Sequence, residues 1–300
     1  MGEPSGIGPE VALAAFAHFG GKVGTHPLKL VGDAGIFAAH RDALIPTGAS
    51  VTALPGRPDN ANAAAVTEAI EIAVASCLAG EAAAVVTAPI HKAVLNAAGF
   101  AFPGHTEFLA HLTCARRAVM MLASDKLRVV PLTIHMPVAD VPKAISKQAV
   151  FDTGEIILTA LRRDFGIRNP RLAVAGLNPH AGEEGVLGDE DGSMIAPAVA
   201  ALAARGFAVK GPLSADTMFH EEARKTYDAA LCMYHDQALI PIKALSFWDG
   251  VNVTLGLPIV RTSPDHGTAL DIAGQGKANP RSMIAAIQMA ADMADARSRG

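Results

Sequence analysis

The sequence alternates short apolar segments with longer alanine-rich segments, and this alternation restricts the fold more than any other feature. The short segments predict β-strands, and the long segments predict helices that connect them. The strands are apolar on both faces, which is typical of a parallel sheet covered by helices. The pattern therefore predicts an α/β protein. The predicted strands are 28–31, 83–87, 128–134, 172–176, 229–234 and 251–255, and the predicted helices include 11–19, 61–78, 106–112, 193–204 and 280–296.

The composition excludes several classes of protein. The 300 residues are 50% hydrophobic and 18% charged, so the chain can bury a large core and provides about two domains' worth of length. The net charge of −4 gives the chain no overall basic character of the kind that nucleic-acid-binding proteins usually have, so we expect no nucleic-acid partner. The sequence has no long charge-free apolar run and no secretory signal pattern, so we expect a cytoplasmic protein without a membrane partner. Cys77, Cys114 and Cys232 lie far apart, which favours reduced thiols over disulfides.

Residues 2–10 form a glycine-rich loop, GEPSGIGPE, in front of the first predicted helix. Its spacing differs from the dinucleotide-binding fingerprint, and it lacks the lysine of a phosphate-binding P-loop. A loop of this kind normally follows a strand, so either an opening strand precedes the numbering or the protein lacks that strand. A tight turn and a ligand-facing loop both remain open.

Three histidines each lie at or just beyond the carboxyl end of a predicted strand: His135, His180 and His235. In open parallel sheets these strand ends share one edge, where ligands bind. Three imidazoles at that edge would hold a zinc-like divalent ion and leave a position open for water or substrate. A single histidine is usually structural, so the metal site is a hypothesis about the three residues together.

Other polar residues point to an anion site. His105 and Thr106 lie at the start of a predicted helix, where free backbone N–H groups favour an anion. Lys243 and Arg261 lie in otherwise apolar segments, where each is either a solvated cation or an anchor for a phosphate or carboxylate. The glycine-rich segment 265–280 is either a surface loop or a functional loop.

Read together, these segments resemble the 4-hydroxythreonine-4-phosphate dehydrogenase family of pyridoxal phosphate biosynthesis. The similarity extends over nearly the whole chain and lies in several blocks. Segment 266–280 also looks like the adenosine-binding loop of isopropylmalate dehydrogenases. The blocks are residues 2–10, 87–92 (TAPIHK), 103–107 (PGHTE), 176–183, 233–237 (MYHDQ) and 250–276.

The resemblance implies two α/β/α domains with an architecture like that of isocitrate and isopropylmalate dehydrogenases, separated by a cleft. Residues 1–105 and 271–300 would form the first domain, on the cofactor side. Residues 106–270 would form the second domain, with the metal, substrate and dimer contacts. The resemblance also implies a homodimer whose active site is shared between the subunits.

For the chemistry, the resemblance implies NAD-dependent oxidation of 4-phosphohydroxy-L-threonine at its secondary alcohol, followed by decarboxylation to 3-amino-1-hydroxyacetone 1-phosphate. One divalent ion, such as zinc, cobalt or magnesium, would be held by the three histidines, one of them from the neighbouring subunit. A carboxylate at Asp271 that faces both ribose hydroxyls favours NAD over NADP. The matching substrate positions are His105, Thr106, Lys243, Asn252 and Arg261, and Asp216 matches a residue near the same site. The catalytic candidates are Asp216, Asp236 and Lys243, and the base for the hydroxyl proton stays open between Asp216, Asp236 and a relay through His105. The cofactor candidates are Gly267, Asp271 and Asn279.

The sequence departs from the family pattern at His91, where asparagine is usual, and at Ala238, where glycine is usual. Related enzymes that oxidise 4-phosphorylated erythronate or threonate share most of the motifs, so this substrate remains an alternative. A decarboxylating dehydrogenase of the isopropylmalate type would hold its metal with aspartates rather than histidines. A phosphate acetyltransferase-like protein and a non-catalytic phosphosugar-binding protein are alternatives from other classes, and they would not need the histidines.

Overall fold

The computed structural model describes residues 1–299 and places them in two compact units. The first unit comprises Met1–Ala118 and Val251–Asp295. The second unit comprises Val119–Gly250 and a short C-terminal segment that begins at Ala296. The predicted division into 1–105 with 271–300 and 106–270 also builds the first part from two segments, but its boundaries differ. As a statement about domains, that division stays a prediction.

Helices and strands alternate along the chain, as the apolar pattern predicts. The strands are β1 (Lys22–Val23), β2 (His26–Pro27), β3 (Leu30–Gly32), β4 (Leu44–Pro46), β5 (Ala84–Val86), β6 (Val119–Ala123), β7 (Arg128–Pro131), β8 (Arg171–Ala175), β9 (Ala208–Leu213), β10 (Ala229–Cys232), β11 (Val251–Leu255) and β12 (Val260–Pro264). The helices are α1 (Gly8–His18), α2 (Ala63–Leu78), α3 (Lys92–Ala97), α4 (His105–Leu112), α5 (Val141–Ala144), α6 (Lys147–Arg163), α7 (Ala196–Ala204), α8 (Glu221–Arg224), α9 (His235–Ser246) and α10 (Arg281–Arg299).

In the first unit, β12 pairs in parallel with β5 and antiparallel with β11. Two further pairs, the antiparallel β1–β2 and the parallel β3–β4, are short. Apolar side chains of α2 and α4 form one core with β5, and those of α1 and α10 form another with the segment that follows β5. Met283, Ile287, Ala290 and Ala294 lie at helical spacing on α10 and are buried, so one face of this helix packs into the core.

In the second unit, three neighbouring strands run in parallel in the order β7–β10–β8, and β9 continues the parallel arrangement beside β8. Strand β6 pairs antiparallel with β7. The helix that follows β10 buries Ala238, Leu239 and Ile242 in a core with residues from β7, β8 and β10. This packing fixes the start of α9 at the carboxyl edge of the three central strands.

The predicted α/β fold is confirmed, and every predicted strand and helix overlaps an observed element. The sheets are mixed rather than purely parallel, because β6 and β11 run antiparallel to their neighbours. Strands β6, β9 and β12 and helices α6 and α9 are among the observed elements that lie outside the predicted ranges. Helix α6 is amphipathic, and it buries Val150, Ile157 and Leu161 at helical spacing, so the 3.6-residue period was present in the sequence.

One helical segment among the described residues, Asn60–Leu78, is long and apolar enough to cross a membrane by length and composition. Its residues Val66, Ile70 and Val74 are each no more than 2% exposed and belong to the core of the first unit. This burial is the behaviour of a core helix.

Candidate active site

The carboxyl ends of β7, β8 and β10 lie at one edge of the second unit, because the three strands are parallel neighbours. Side-chain hydrogen bonds connect the loops that follow these strands. The amide of Gln237 donates to the carbonyl of Gly176 (2.8 Å) and accepts from the backbone N–H of Met233 (2.6 Å). The hydroxyl of Thr133 donates to the carbonyl of Met233 (2.8 Å). The loop positions at this edge are therefore held by the fold.

Two of the three predicted metal ligands approach each other at this edge. The ring centroids of His135 and His235 are 6.0 Å apart. Nδ1 of His235 makes a hydrogen bond of 2.6 Å to the carboxylate of Asp236, which orients the ring and leaves Nε2 for another contact. This carboxylate–imidazole arrangement is typical of histidines that bind metal ions.

His180 lies in a separate, unusually shaped loop, Pro179–Gly185. Residues 180–184 all have positive φ, with φ of 52° at His180, and such conformations are costly for residues other than glycine. The loop is anchored by Asp191, which is 1% exposed and accepts hydrogen bonds from the backbone N–H groups of Leu177 (2.8 Å) and Asn178 (3.0 Å). Backbone strain of this kind clusters at functional sites.

Asp216 lies close enough to His180 to interact with it electrostatically. The hydroxyl of Ser214 donates a 2.5 Å hydrogen bond to the Asp216 carboxylate, and this bond is the main reason why the pKa of Asp216 is below its ordinary value. The nearby His180 lowers the pKa of this carboxylate further. Asp216 is therefore ionised at neutral pH.

Residues 1–299 of one chain contain no group of three histidine, cysteine or carboxylate side chains that could hold a metal ion. Instead, one chain places His135 with His235 and Asp236, and it places His180 with Asp216. Each group supplies imidazole donors, and each includes a carboxylate partner. Imidazole and carboxylate donors fit a divalent ion such as zinc or cobalt. Each group would need at least one further ligand to hold the ion.

The first unit buries Arg261 on β12, where the residue is only 4% exposed. Its guanidinium donates to the hydroxyls of Thr254 (2.9 Å) and Thr87 (2.7 Å), and it contacts Nδ1 of His105 at 3.4 Å. These partners come from β11, from the residue that follows β5 and from the start of α4. The pairing of the strands therefore brings the anion-binding candidates Arg261 and His105 together.

Two hydrogen-bond donors in this cluster are unsatisfied. Arg261 can only donate, so Nδ1 of His105 is the acceptor of their contact and the ring proton lies on Nε2. That Nε2 and the Nε of Arg261 are both buried, and neither has a hydrogen-bond partner in the described part of the chain. Because buried donors without acceptors are costly, this pair fits a ligand rich in acceptor oxygens, such as a phosphate.

The charges of the two side chains follow from their burial. Burial lowers the pKa of His105 well below its ordinary value, and the positive charge of Arg261 lowers it further. The imidazole is therefore neutral at neutral pH. Burial lowers the pKa of Arg261 to about 10, so the guanidinium remains charged. The cluster provides one positive charge and one neutral donor.

The other predicted substrate residues occupy different elements. Thr106 follows His105 in the first turn of α4, and Asn252 pairs with Ser263 across β11 and β12. Lys243 is on α9 in the second unit, eight residues after His235, which corresponds to an axial rise of about 12 Å. Its ammonium lies 5.9 Å from the centre of the Phe247 ring.

The predicted cofactor residues all lie in the segment between β12 and α10. Gly267 and Asp271 are exposed, and the backbone carbonyl of Asp271 accepts a hydrogen bond from Gln275 (2.7 Å). The side-chain oxygen of Asn279 accepts from the backbone N–H of Arg281 (3.1 Å), so Asn279 also stabilises the start of α10. The carboxylate of Glu10 accepts a hydrogen bond from the backbone N–H of Gly274, which connects this segment to α1.

The glycine-rich N-terminal segment packs against the rest of the first unit. A Cβ atom at Gly2 would lie 2.2 Å from the carbonyl oxygen of Pro89, and one at Gly6 would lie 2.8 Å from that of Thr268. Both positions therefore require glycine because the backbones approach closely. The sequence leaves two interpretations of this loop open, a tight turn and a ligand-facing loop. The tight turn accounts for these close contacts.

Several residues that shape the sites were not singled out from the sequence as ligands or anchors. Thr87 and Thr254 orient Arg261, and only the strand register reveals them. Asp191 anchors the His180 loop. Its near-complete burial identifies it in the structure, and no sequence pattern shows that burial. His91, where asparagine is usual, accepts a hydrogen bond from the backbone N–H of Val94 at 3.3 Å and so caps α3.

Comparison with known proteins shows similarity over nearly the whole chain. Residues 29–290 match the family model described as pyridoxal phosphate biosynthetic protein PdxA. A 4-hydroxythreonine-4-phosphate dehydrogenase from Roseobacter denitrificans is 54% identical over 98% of this chain and 95% of its own. The crystal structure of 4-hydroxythreonine-4-phosphate dehydrogenase from Klebsiella pneumoniae is 37% identical, with a TM-score of 0.85 and 98% of both chains covered. The crystal structure of a terephthalate 1,2-cis-dihydrodiol dehydrogenase from Burkholderia xenovorans is 28% identical, with a TM-score of 0.70 and coverage of 97% and 96%.

The neutral state of His105 predicts a pH dependence of stability. The pKa of this histidine is lower in the folded protein than in the unfolded chain, so the unfolded chain binds more protons in acid. Acidification from pH 7.5 to pH 5 should therefore lower the free energy of unfolding more for the natural protein than for His105→Asn. Urea titrations at both pH values measure this difference, and parallel losses in the two proteins would contradict the assignment.

Proposed function

Because this chain belongs to the PdxA family of pyridoxal phosphate biosynthetic proteins, we propose that it is a 4-hydroxythreonine-4-phosphate dehydrogenase. The resemblance recognised in its motifs is confirmed by relatives about half identical to it over nearly their full length. The proposed reaction is oxidation of the secondary alcohol of 4-phosphohydroxy-L-threonine by NAD, followed by loss of CO₂ to give 3-amino-1-hydroxyacetone 1-phosphate. The observation that carries the proposal is the buried pair of unsatisfied donors at Arg261 and His105.

The substrate phosphate is assigned to the Arg261–His105 cluster. Its oxygens accept hydrogen bonds from Nε of Arg261 and Nε2 of His105, which otherwise have none among the described residues. Charge-assisted hydrogen bonds of this kind are among the strongest in proteins. The hydroxyl of Thr106 and the free N–H groups at the start of α4 provide further donors. We assign Asn252 and Lys243 to the polar groups of the same substrate.

The metal ligands are assigned to His135, His180 and His235, with one of them supplied by a second copy of the chain. Within residues 1–299, one chain does not bring three metal ligands together. Each of the two histidine groups contains fewer ligands than a catalytic ion needs. When bound, the ion would lower the pKa of the substrate hydroxyl and polarise the ketone that forms. Asp236 holds the His235 ring in position for this role.

The three acid–base candidates have different surroundings. The carboxylate of Asp236 is engaged by His235, and the lowered pKa of Asp216 makes that carboxylate a weak proton acceptor. We therefore assign Asp216 to positioning the His180 loop by charge. Lys243, partly buried on α9, is the remaining candidate to carry the hydroxyl proton.

The cofactor is assigned to the segment between β12 and α10, where exposed Asp271 would accept hydrogen bonds from both ribose hydroxyls. NAD would supply the hydride acceptor. Gly267 would allow close approach of the cofactor, and Asn279 would contact the cofactor from the start of α10. We propose that this enzyme works as a homodimer in the cytoplasm.

The direct test is NADH formation with 4-phosphohydroxy-L-threonine, with and without a chelator. The same assay with 4-phosphorylated erythronate and threonate determines whether the amino group is required. We expect turnover with the amino acid, loss of turnover with chelator, and at least about tenfold lower kcat/KM for the acids without the amino group. A preference for either acid would assign the chain to that reaction, and no turnover with any of them would overturn the proposal.

Arg261→Gln should raise KM for the phosphorylated substrate by about thirtyfold or more, since removal of one partner of a buried charged contact costs about 2 kcal/mol or more. The effect on kcat should be smaller. Arg116→Gln, at an exposed arginine of the same unit, is the matched control and should leave both constants unchanged. An unchanged KM in Arg261→Gln would remove this residue from the phosphate site.

His180→Ala should lose both bound metal and turnover while keeping its circular-dichroism spectrum and unfolding temperature. The control His18→Ala, at an exposed histidine of α1, should keep both the bound metal and the turnover. Metal content by mass spectrometry provides a readout that is independent of turnover. Full turnover in metal-free His180→Ala would contradict the metal assignment.

Mixed dimers test whether the second copy supplies a ligand. Each of the three histidine→Ala variants is refolded together with Arg261→Gln, at a substrate concentration where neither variant alone is active. One of the three mixtures contains the variant of the histidine that binds the metal in the partner's site. In that mixture, random pairing should restore up to about one quarter of natural activity. No recovery in any mixture would exclude a shared site.

Asp271→Asn should reduce the preference for NAD over NADP by about tenfold, because the repulsion of the 2′-phosphate by the carboxylate is removed. The ratio of kcat/KM for the two cofactors measures the change. Equal use of both cofactors by the natural protein would contradict the role of Asp271.

A further inference from the structure

The second unit contains a polar cavity of about 250 Å³ at the amino edge of its parallel strands. Arg128 and Arg171, which line it, are the first residues of β7 and β8, and Asp228, which also lines it, directly precedes β10. The predicted metal ligands follow the carboxyl ends of these strands. Since β7 has four residues, about 13 Å of extended chain separates the two edges. The cavity is therefore separate from the candidate active site.

Cationic side chains outnumber acidic ones around this cavity. Five of the lining residues are lysine or arginine, and two are aspartate. The carboxylate of Asp228 is already engaged, because it accepts hydrogen bonds from Nε (3.1 Å) and Nη2 (3.0 Å) of Arg171. The other aspartate, Asp125, is exposed to solvent. Lys225 forms ion pairs with two glutamates of α8, so its charge is compensated outside the cavity.

Three lining cations form no ion pair within residues 1–299: Lys126, Arg128 and Arg224. They donate to backbone carbonyls instead. The ammonium of Lys126 donates to the carbonyl of Leu245 (3.3 Å), and the guanidinium of Arg224 donates to the carbonyls of Phe219 and Lys126 (both 3.0 Å). Carbonyl groups carry no net charge, so these bonds hold the cations in place without neutralising them. An anion in the cavity would compensate their charge.

The guanidinium of Arg128 is held in one orientation by two contacts. Its Nη1 donates to the backbone carbonyl of Asp228 (3.2 Å), and its Cζ lies 4.9 Å from the centre of the Phe165 ring. Burial lowers the pKa of Arg128, and the negative charge of Asp228 offsets part of this decrease. The carboxylate of Asp228 therefore acts on two guanidinium groups, although it makes its bidentate contact with Arg171 alone.

Arg128 keeps a bidentate face for another acceptor. Its Nε and Nη2 make no hydrogen bond within residues 1–299, and Nε is buried. In Arg171 the same two atoms hold both oxygens of a carboxylate. Paired N–H groups of this kind match the spacing of two oxygens in a carboxylate or phosphate. The free face of Arg128 therefore fits an oxyanion.

We propose that this cavity binds a phosphate group, with Nε and Nη2 of Arg128 as its bidentate donors and with Lys126 and Arg224 as the other cations. A phosphate carries up to about two negative charges and has at least three acceptor oxygens, so it can meet donors from several sides. A carboxylate has one charge and two oxygens. The volume lies below the range of about 300–1,000 Å³ that is typical of larger ligands, which favours a small ion or the terminal phosphate of a compound that extends into solvent.

The inference is independent of the proposed function. The substrate phosphate is assigned to Arg261 and His105 in the first unit, whereas this cavity is lined by residues of the second unit alone. Loss of the second phosphate site would therefore leave the proposed reaction as it stands. Failure of the dehydrogenase assay would likewise leave this site untouched.

The test is a titration with inorganic phosphate, followed by nitrogen-15 NMR of protein with labelled arginine. The Arg261→Gln background removes the contribution of the site proposed for the substrate. The Nε resonance of Arg128 should shift and saturate with phosphate, and sodium chloride at the same ionic strength should not reproduce the shift. A resonance that stays fixed, or that moves equally with chloride, would overturn the proposal.

Variants measured by calorimetry in the same background locate the binding. Arg128→Gln should weaken phosphate binding about tenfold or more, because a charge-assisted hydrogen bond is lost. Lys126→Met, at an exposed side chain, should weaken it in the same direction and tests the site even if Arg128→Gln does not fold. Arg162→Gln, at an exposed arginine of α6, is the matched control and should bind normally. Equal affinity in Lys126→Met and the control would contradict the assignment.

Glycerol 3-phosphate distinguishes the two sources of the phosphate group. Binding at least as tight as that of inorganic phosphate would assign the cavity to the terminal phosphate of a larger compound. Weaker binding of the ester would assign it to free phosphate. Saturation by neither compound would overturn the proposal.

Discussion

A charged guanidinium buried with one unsatisfied donor is the constraint around which the first unit is arranged. Burying a charge is costly unless it is paired, and Arg261 has only neutral partners among the described residues: two threonine hydroxyls and an imidazole nitrogen. An anion bound at this position would compensate the buried charge. Position and charge therefore suit this cluster to the anion site proposed above, and the relatives of this chain are named for a phosphorylated compound.

In the second unit, the main structural constraint is the placement of imidazoles at the edge of a sheet. The parallel order of β7, β10 and β8 brings the loops after these strands together, and hydrogen bonds from Gln237 and Thr133 connect them. The strained loop at His180 is supported by a buried carboxylate. Each histidine has a defined place, yet three ligands do not meet within the described part of one chain, so the proposed centre depends on assembly.

Much of this arrangement could be predicted from the sequence because it follows from local patterns. The apolar strand segments are visible along the chain, and so is the position of a histidine after each of three strands. The contacts of Arg261 are not visible in this way, since Thr87 is 174 residues away and only the register of β5 with β12 brings it near. The left-handed loop at His180 depends on Asp191, whose burial is a property of the folded chain. Local periodicity predicts elements, whereas pairing between distant strands determines which side chains meet.

The central claim is that the unsatisfied donors of Arg261 and His105 receive the substrate phosphate. Nitrogen-15 NMR of a selectively labelled protein observes Nε of Arg261 and Nε2 of His105 directly. During a titration with 4-phosphohydroxy-L-threonine, both resonances should shift and saturate together, with a midpoint that matches the binding of the substrate. Resonances that stay fixed while the substrate saturates the enzyme would contradict the account.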